Sequence, residues 1–116
     1  EIRRARQLVR ASLQSWGRHA HVDAFELAAS ELVTNAVVHG DGEIGLRLEA
    51  RDDEVCLEVT DAGPSSGVLR PTRSQSGDGG GWGLRLMAAI SSRWGASTGP
   101  AQTRVWMVRR SDEPPL

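Results

Sequence analysis

The amino-acid sequence predicts an α+β fold, a two-layer sandwich in which a mostly antiparallel sheet of about four strands carries three helices on one face. Three observations lead there. Two successive segments near the start place apolar residues at helical spacing. Two central segments alternate apolar and polar residues on either side of a two-residue turn. A third helical segment is then followed by two further strands.

From Ile2 to Trp16, the residues Ile2, Ala5, Val9, Leu13 and Trp16 fall on one helical face, with Arg3, Arg4, Arg6 and Arg10 mostly outside it; Gly17 stops the helix. A second helix is expected from Val22 to His39, with Phe25, Ala29, Leu32 and Ala36 as its core stripe and Gly40 as its terminator. Between Glu43 and Arg51, Ile44, Leu46, Leu48 and Ala50 share one face of a half-buried strand. After the Asp52-Asp53 turn the alternation resumes from Glu54 to Asp61 with Val55, Leu57 and Val59 facing inward, which makes an antiparallel hairpin. From Ala62 to Gly80 the periodicity dissolves into Gly, Pro, Ser, Arg and Asp, a stretch longer than ordinary connections and of the kind that forms lids or is disordered. The third helix is expected from Trp82 or Gly83 to about Arg93, carrying Leu84, Met87, Ala88 and Ser91 on one side. Strands at about Trp94 to Thr98 and Thr103 to Arg109 flank Gly99-Pro100, and Glu113-Pro114-Pro115 reads as a tail.

The 116 residues suit a single domain, taken as 1–116, that buries a core without disulfides or metals. The composition, 39% hydrophobic and 25% charged, excludes disordered and membrane-spanning chains, and no apolar run approaches the length of a transmembrane helix. No signal peptide is visible, so the expected location is cytoplasmic, which suits a chain with Cys56 as its single cysteine. A formal net charge of −1 argues against direct capture of nucleic acid or a membrane surface. All fourteen basic residues counted as Lys or Arg are arginine. Without a lysine, neither a Walker-A loop nor a eukaryotic-type protein kinase site can be built.

Glu31, Asn35 and His39 lie four apart on the second helix and form one polar ridge beside its core stripe. Such a ridge is either a solvated helix edge or a carboxylate base next to an amide oxygen able to ligate Mg²⁺. Asp61 continues the phase of Val55, Leu57 and Val59 and so points toward the core. It is either a turn residue capping the loop at Gly63-Pro64 or an acceptor for an exocyclic amine such as that of adenine. Gly63 would let a flat base approach the backbone. Gly77-Asp-Gly-Gly-Gly81-Trp82-Gly83-Leu84 opens into a helix whose free N–H groups suit phosphate, although glycine runs are often linkers. Thr103 opens the last strand, where its hydroxyl reaches a phosphate or simply satisfies strand propensity. Trp16, Trp94 and Trp106 read as core or interface packing, His19 and His21 as a polar inter-helix turn, and Cys56 as a strand residue.

In order along the chain, Glu31-x-x-x-Asn35, Asp61-x-Gly63, Gly81-x-Gly83 and Thr103 resemble the N, G1 and G2 boxes of the GHKL, or Bergerat-fold, ATPases. Glu31-Leu-Val-Thr-Asn35-Ala, Asp61-Ala-Gly63-Pro64, Gly83-Leu84-Arg85-Leu86 and Arg93-Trp94-Gly95 are similar to the small actinobacterial anti-sigma-factor serine/threonine kinases. The resemblance implies a Bergerat-type sandwich that binds ATP and Mg²⁺ beneath a lid at about 64–80. It implies Glu31 as general base, Asn35 as the metal ligand and Asp61 as the reader of adenine. Gly63, Gly81, Trp82, Gly83 and Leu84 would lie against the nucleotide, His39 would assist on the phosphate side, and Thr103 would sit near base or phosphate. The expected activity is ATP-dependent phosphorylation of a STAS anti-anti-sigma factor, coupled to sequestration of a sigma factor. Two alternatives stay open: a non-catalytic ATP-responsive binding domain, and the ATP-binding domain of a larger sensor or phosphatase regulator. Whether the chain forms a homodimer is also open. The sequence departs from the family pattern in carrying Ser65 at the second glycine of Asp-x-Gly-x-Gly, in the longer approach Gly99-Pro-Ala-Gln-Thr103, and in having no strand before the first helix. A trimmed domain, or a piece of a larger regulator, is therefore expected.

Overall fold

In the computed structural model, which describes residues 1–39, 43–62, 80–99 and 102–116, the first apolar stripe forms helix α1 (Ile2–Ser15). Side chains at positions 38, 39, 80–84 and 98 lie outside that description. Ala5, Val9 and Leu13 are buried as the spacing predicts. The ends of the stripe are not, because Trp16 caps the helix and is 44% exposed, and Ile2 projects at the opposite end. Of the two readings of Trp16, as core or as interface packing, the first is excluded. The helix closes with Gly17 in the left-handed region at φ 74°, its amide bonded to the Gln14 carbonyl at 3.1 Å and the Arg18 amide to Leu13 at 2.8 Å. That pair of bonds is a Schellman motif, which a residue with a Cβ would strain.

A 3₁₀ turn (His19–His21) leads into α2 (Val22–His39), whose bounds match the expectation. Phe25, Ala29, Leu32 and Ala36 are all buried, together with Ala28 and Val33. The sheet has four antiparallel strands, β1 (Ile44–Ala50), β2 (Glu54–Ala62), β3 (Arg93–Thr98) and β4 (Gln102–Arg110), in the order β1-β2-β4-β3. Val55, Leu57 and Val59 of β2 and Val105 and Met107 of β4 are buried in the same core as the helices, so the helical layer covers the middle strands. Ile44, Leu46 and Leu48, on the edge strand β1, are only half-buried against that core. On the open face, Trp106 lies over Gly95, its direct partner in the β3–β4 ladder.

Helix α3 (Gly80–Ile90) begins two or three residues earlier than expected and ends three residues earlier. Its exit has a physical cause. The Ser91 amide still bonds to the Met87 carbonyl at 3.0 Å, but the Ser92 amide turns to the Val108 carbonyl at 2.8 Å and commits Arg93 to β3. Of the lid expected over 64–80, only Gly80 belongs to the described residues, and Gly63 lies outside them.

At the hairpin end of the sandwich, the guanidinium of Arg109, only 3% exposed, is shared among three elements. It donates to the Ile90 carbonyl at 2.9 Å, to His21 Nδ1 at 3.0 Å and to the Pro114 carbonyl at 2.8 Å. His21 is itself buried, edge-on to Phe25, and its Nε2 meets the Ser111 carbonyl at 3.2 Å. Arg109 leaves His21 Nδ1 as an acceptor, which places the ring proton on Nε2. His21 lies in the inter-helix turn as expected, and there it is a buried link to the end of β4. The Glu113-Pro114 segment is fastened to the body, with Glu113 also accepting from Ser92 at 3.1 Å.

Candidate functional site

Three of the residues singled out in the sequence are buried polar groups, each with a side-chain atom that has no partner among the described residues. Asn35 on α2, Asp61 on β2 and Thr103 on β4 are 6%, 7% and 2% exposed. The Asn35 Nδ2, Asp61 Oδ1 and Thr103 Oγ1 atoms are sealed from solvent without a hydrogen bond among the described residues. Each such orphan costs about 1–3 kcal/mol, so three at one layer interface amount to a local sacrifice of stability. Asp61 follows the inward phase of Val55, Leu57 and Val59, and Thr103 that of Val105 and Met107. The antiparallel register then sets Asp61 directly opposite Thr103, with Ile44 on its other side.

The connections concentrate at this end of the sandwich. Ala62 is paired with Gln102, Thr98 with Thr103, and Ile44 with Asp61, so the chain enters β1 and β4 and leaves β2 and β3 here. His39, the last residue of α2, precedes Ile44 by five residues, a span of at most about 17 Å, which holds that end of α2 near Asp61. The sequence grouped these residues by motif order; the fold groups Asp61 with Thr103 by register.

Glu31, one helical turn before Asn35, is half-buried, and among the described residues its carboxylate has no ion pair or hydrogen bond. Gly81 and Trp82 fall in the first turn of α3, where backbone N–H groups have no intrahelical acceptor, and Gly83 and Leu84 follow directly after it. The side chain of His39 lies outside the described residues.

Burial raises the Asp61 carboxyl above its ordinary value. A carboxylate so placed gains most from a donor that arrives with a ligand, and a hydroxyl beside it adds a second polar contact. This donor set fits the amine-bearing edge of adenine, and the free N–H groups of α3 fit phosphates. Among the described residues no group of three or more His, Cys, Asp or Glu side chains is arranged to hold a metal. A cation here would therefore rest on Asn35 together with phosphate and water oxygens. Burial also raises the Cys56 thiol, which sits on the open face of the sheet and outside this site. Among the described residues no helix is long and apolar enough to cross a membrane.

A family model described as the histidine kinase-like ATPase domain matches residues 1–109. Over 74 residues the chain is 34% identical to the sensor histidine kinase component HK1 of Mycobacterium tuberculosis, covering 55% of this chain and 44% of that protein. A probable sensor histidine kinase HK from a second strain of that organism is also 34% identical over 74 residues, with 55% and 20% covered. The Acinetobacter baumannii histidine kinase AdeS shares the fold at a TM-score of 0.58 and 16% identity, over 79% of this chain and 48% of that one. The chain thus spans less than half the length of each of these proteins. With the family match covering nearly every residue, the chain belongs to the histidine kinase-like ATPase domain family and is a GHKL-type ATP-binding domain.

Proposed function

We propose that this domain acts as an ATP- and Mg²⁺-dependent protein kinase that phosphorylates a serine or threonine of a STAS anti-anti-sigma partner and, when free, sequesters a sigma factor. The observation that carries the catalytic part is on α2: Asn35 is buried with its Nδ2 unpartnered, and Glu31, one turn earlier, has a carboxylate that nothing engages, both among the described residues. Asp61 and Thr103 would hold the base, and the first turn of α3 would receive the phosphates. Asn35 would lend an oxygen to Mg²⁺. Bound Mg²⁺-ATP supplies the phosphoryl group, with the cation offsetting its charge. Glu31 would orient the incoming hydroxyl and take its proton, a role worth roughly 10²–10⁴-fold in rate.

A second reading, favoured by the 34% identity to mycobacterial sensor histidine kinases, is the ATP-binding domain of a longer histidine kinase. Radiolabelled ATP, Mg²⁺ and either STAS domains or a phosphoacceptor-histidine domain separate the two. Acid-stable label on a STAS serine or threonine supports the proposal. Acid-labile label on histidine supports the second reading. Tight ATP binding with no transfer to either points to a non-catalytic binding domain.

A further inference from the structure

A groove of about 400 Å³ between α1 and α2 is lined by Ile2, Arg3, Arg6, Gln7, Arg10 and Glu26. Arg3, Arg6 and Arg10 recur at three- and four-residue intervals, so they share one face of α1 and span one heptad, roughly 10 Å. Glu26, 8% exposed, is pinned between Arg10 and Arg6, the latter at 3.8 Å. That carboxylate fixes two guanidiniums while their side chains stay 55% and 50% exposed. One glutamate against three arginines leaves positive charge unbalanced, and Arg3 has no ion pair or hydrogen bond among the described residues. Ile2 adds an exposed apolar lip.

We infer that this groove is a docking surface for an acidic helical segment of a protein partner, one that presents carboxylates about a heptad apart with an apolar residue beside them. The spacing matches a helix that sets Glu or Asp at positions i, i+3 or i+4, and i+7, each facing a guanidinium whose fork donates two hydrogen bonds to a carboxylate. A polyanion is a poorer fit. The whole chain has a net charge of −1, so the basic groove is a local island rather than a track that follows a phosphate backbone. This inference rests on the proposed action on a protein partner only for the partner's identity, because the groove lies outside the nucleotide residues.

The test uses three fluorescein-labelled probes measured by anisotropy against the full chain. One is a 16-residue helical peptide with glutamates at i, i+4 and i+7, one is its glutamine counterpart, and one is a single-stranded DNA of equal charge. The wild-type protein should bind the glutamate peptide at least tenfold tighter than the glutamine peptide, and more weakly as salt rises. Arg3→Glu, at an exposed position, should lose at least tenfold of that affinity while its melting temperature and ATP affinity stay unchanged. Arg3→Gln should fall between the two. Equal binding of both peptides, an undiminished Arg3→Glu, or DNA bound as tightly as the acidic peptide would each overturn the inference. A separate ATP titration of every variant keeps a failure of the nucleotide site distinguishable from a failure of the groove.

Discussion

Asp61 stands directly across the β2–β4 ladder from Thr103, and each buries a polar atom that no group among the described residues satisfies. Such a pair weakens the empty fold. The raised Asp61 carboxyl means that its neutral form suits the folded state, so its stabilising contribution is present below the ordinary value of 3.8 and is lost as pH rises through the raised one. At neutral pH the charged group is a net cost. Asp61→Asn should therefore raise the melting temperature of the nucleotide-free domain by several degrees, corresponding to about 1 kcal/mol or more, and Thr103→Val should act in the same direction. Scanning calorimetry showing either variant melting below wild type would mean that the pair has partners in the empty state.

The pairing on α2 assigns different tasks to neighbours. Asn35→Ala should weaken Mg²⁺-ATP binding itself, because its amide oxygen is proposed as a metal ligand. Glu31→Ala should bind ATP as wild type does yet lose roughly 10²-fold or more in phosphoryl transfer. Calorimetric titration combined with single-turnover kinetics separates the two. Wild-type transfer rates in Glu31→Ala would remove Glu31 from the chemistry.

His21 predicts an acid-side weakness. Burial lowers its pKa, and Arg109 and Arg18 push it further down, while the Ser111 carbonyl and Glu113 pull the other way. The folded value thus lies below the ordinary 6.5, so the stability contributed by the neutral ring is complete above about that pH and is lost as pH falls through the folded value. Protonation would also set an imidazolium against the Arg109 guanidinium it now accepts from. The melting temperature should drop between pH 7 and pH 5, and His21→Gln should flatten that slope. An unchanged slope in the variant would assign the acid sensitivity elsewhere.

Gly95 tests the open face of the sheet. A Cβ there would stand 2.5 Å from Trp106 Cζ2 and 2.7 Å from Cε2, so Gly95→Ala must displace the indole. The expected cost is about 1–3 kcal/mol, read as a lower denaturation midpoint, with ATP affinity unaffected because Trp106 lies on the face away from Asp61. A neutral Gly95→Ala would mean that Trp106 does not rest over the glycine in solution.

Much of the architecture was legible because its signals are local. Val22 to His39 carries a clean helical stripe before a glycine, and Glu54 to Asp61 alternates without interruption; both formed as expected. The start of α3 was misplaced because Gly80 and Gly81 are poor helix formers that only context makes helical, and its end because Ser91-Ser92 carries no stop signal. The inward direction of Asp61 followed from strand phase. Its neighbour did not: Thr103 is 42 residues away, and the order β1-β2-β4-β3 depends on packing that no window of sequence encodes. Arg109 and His21 were invisible for the same reason, since a buried guanidinium is recognised only by its acceptors, here contributed by α3, the helical turn and the tail.

The most direct test of the account is a pair of calorimetric titrations, with ATP and with GTP, on wild type and on Asp61→Asn. If Asp61 accepts from the amino group of adenine, ATP binds far more tightly than GTP, whose base presents a carbonyl at that edge and would face the carboxylate acceptor to acceptor. Asp61→Asn should lose most of the ATP affinity and most of the discrimination. Equal affinity for ATP and GTP in the wild type, or an unaltered preference in Asp61→Asn, would contradict the placement of the base between Asp61 and Thr103.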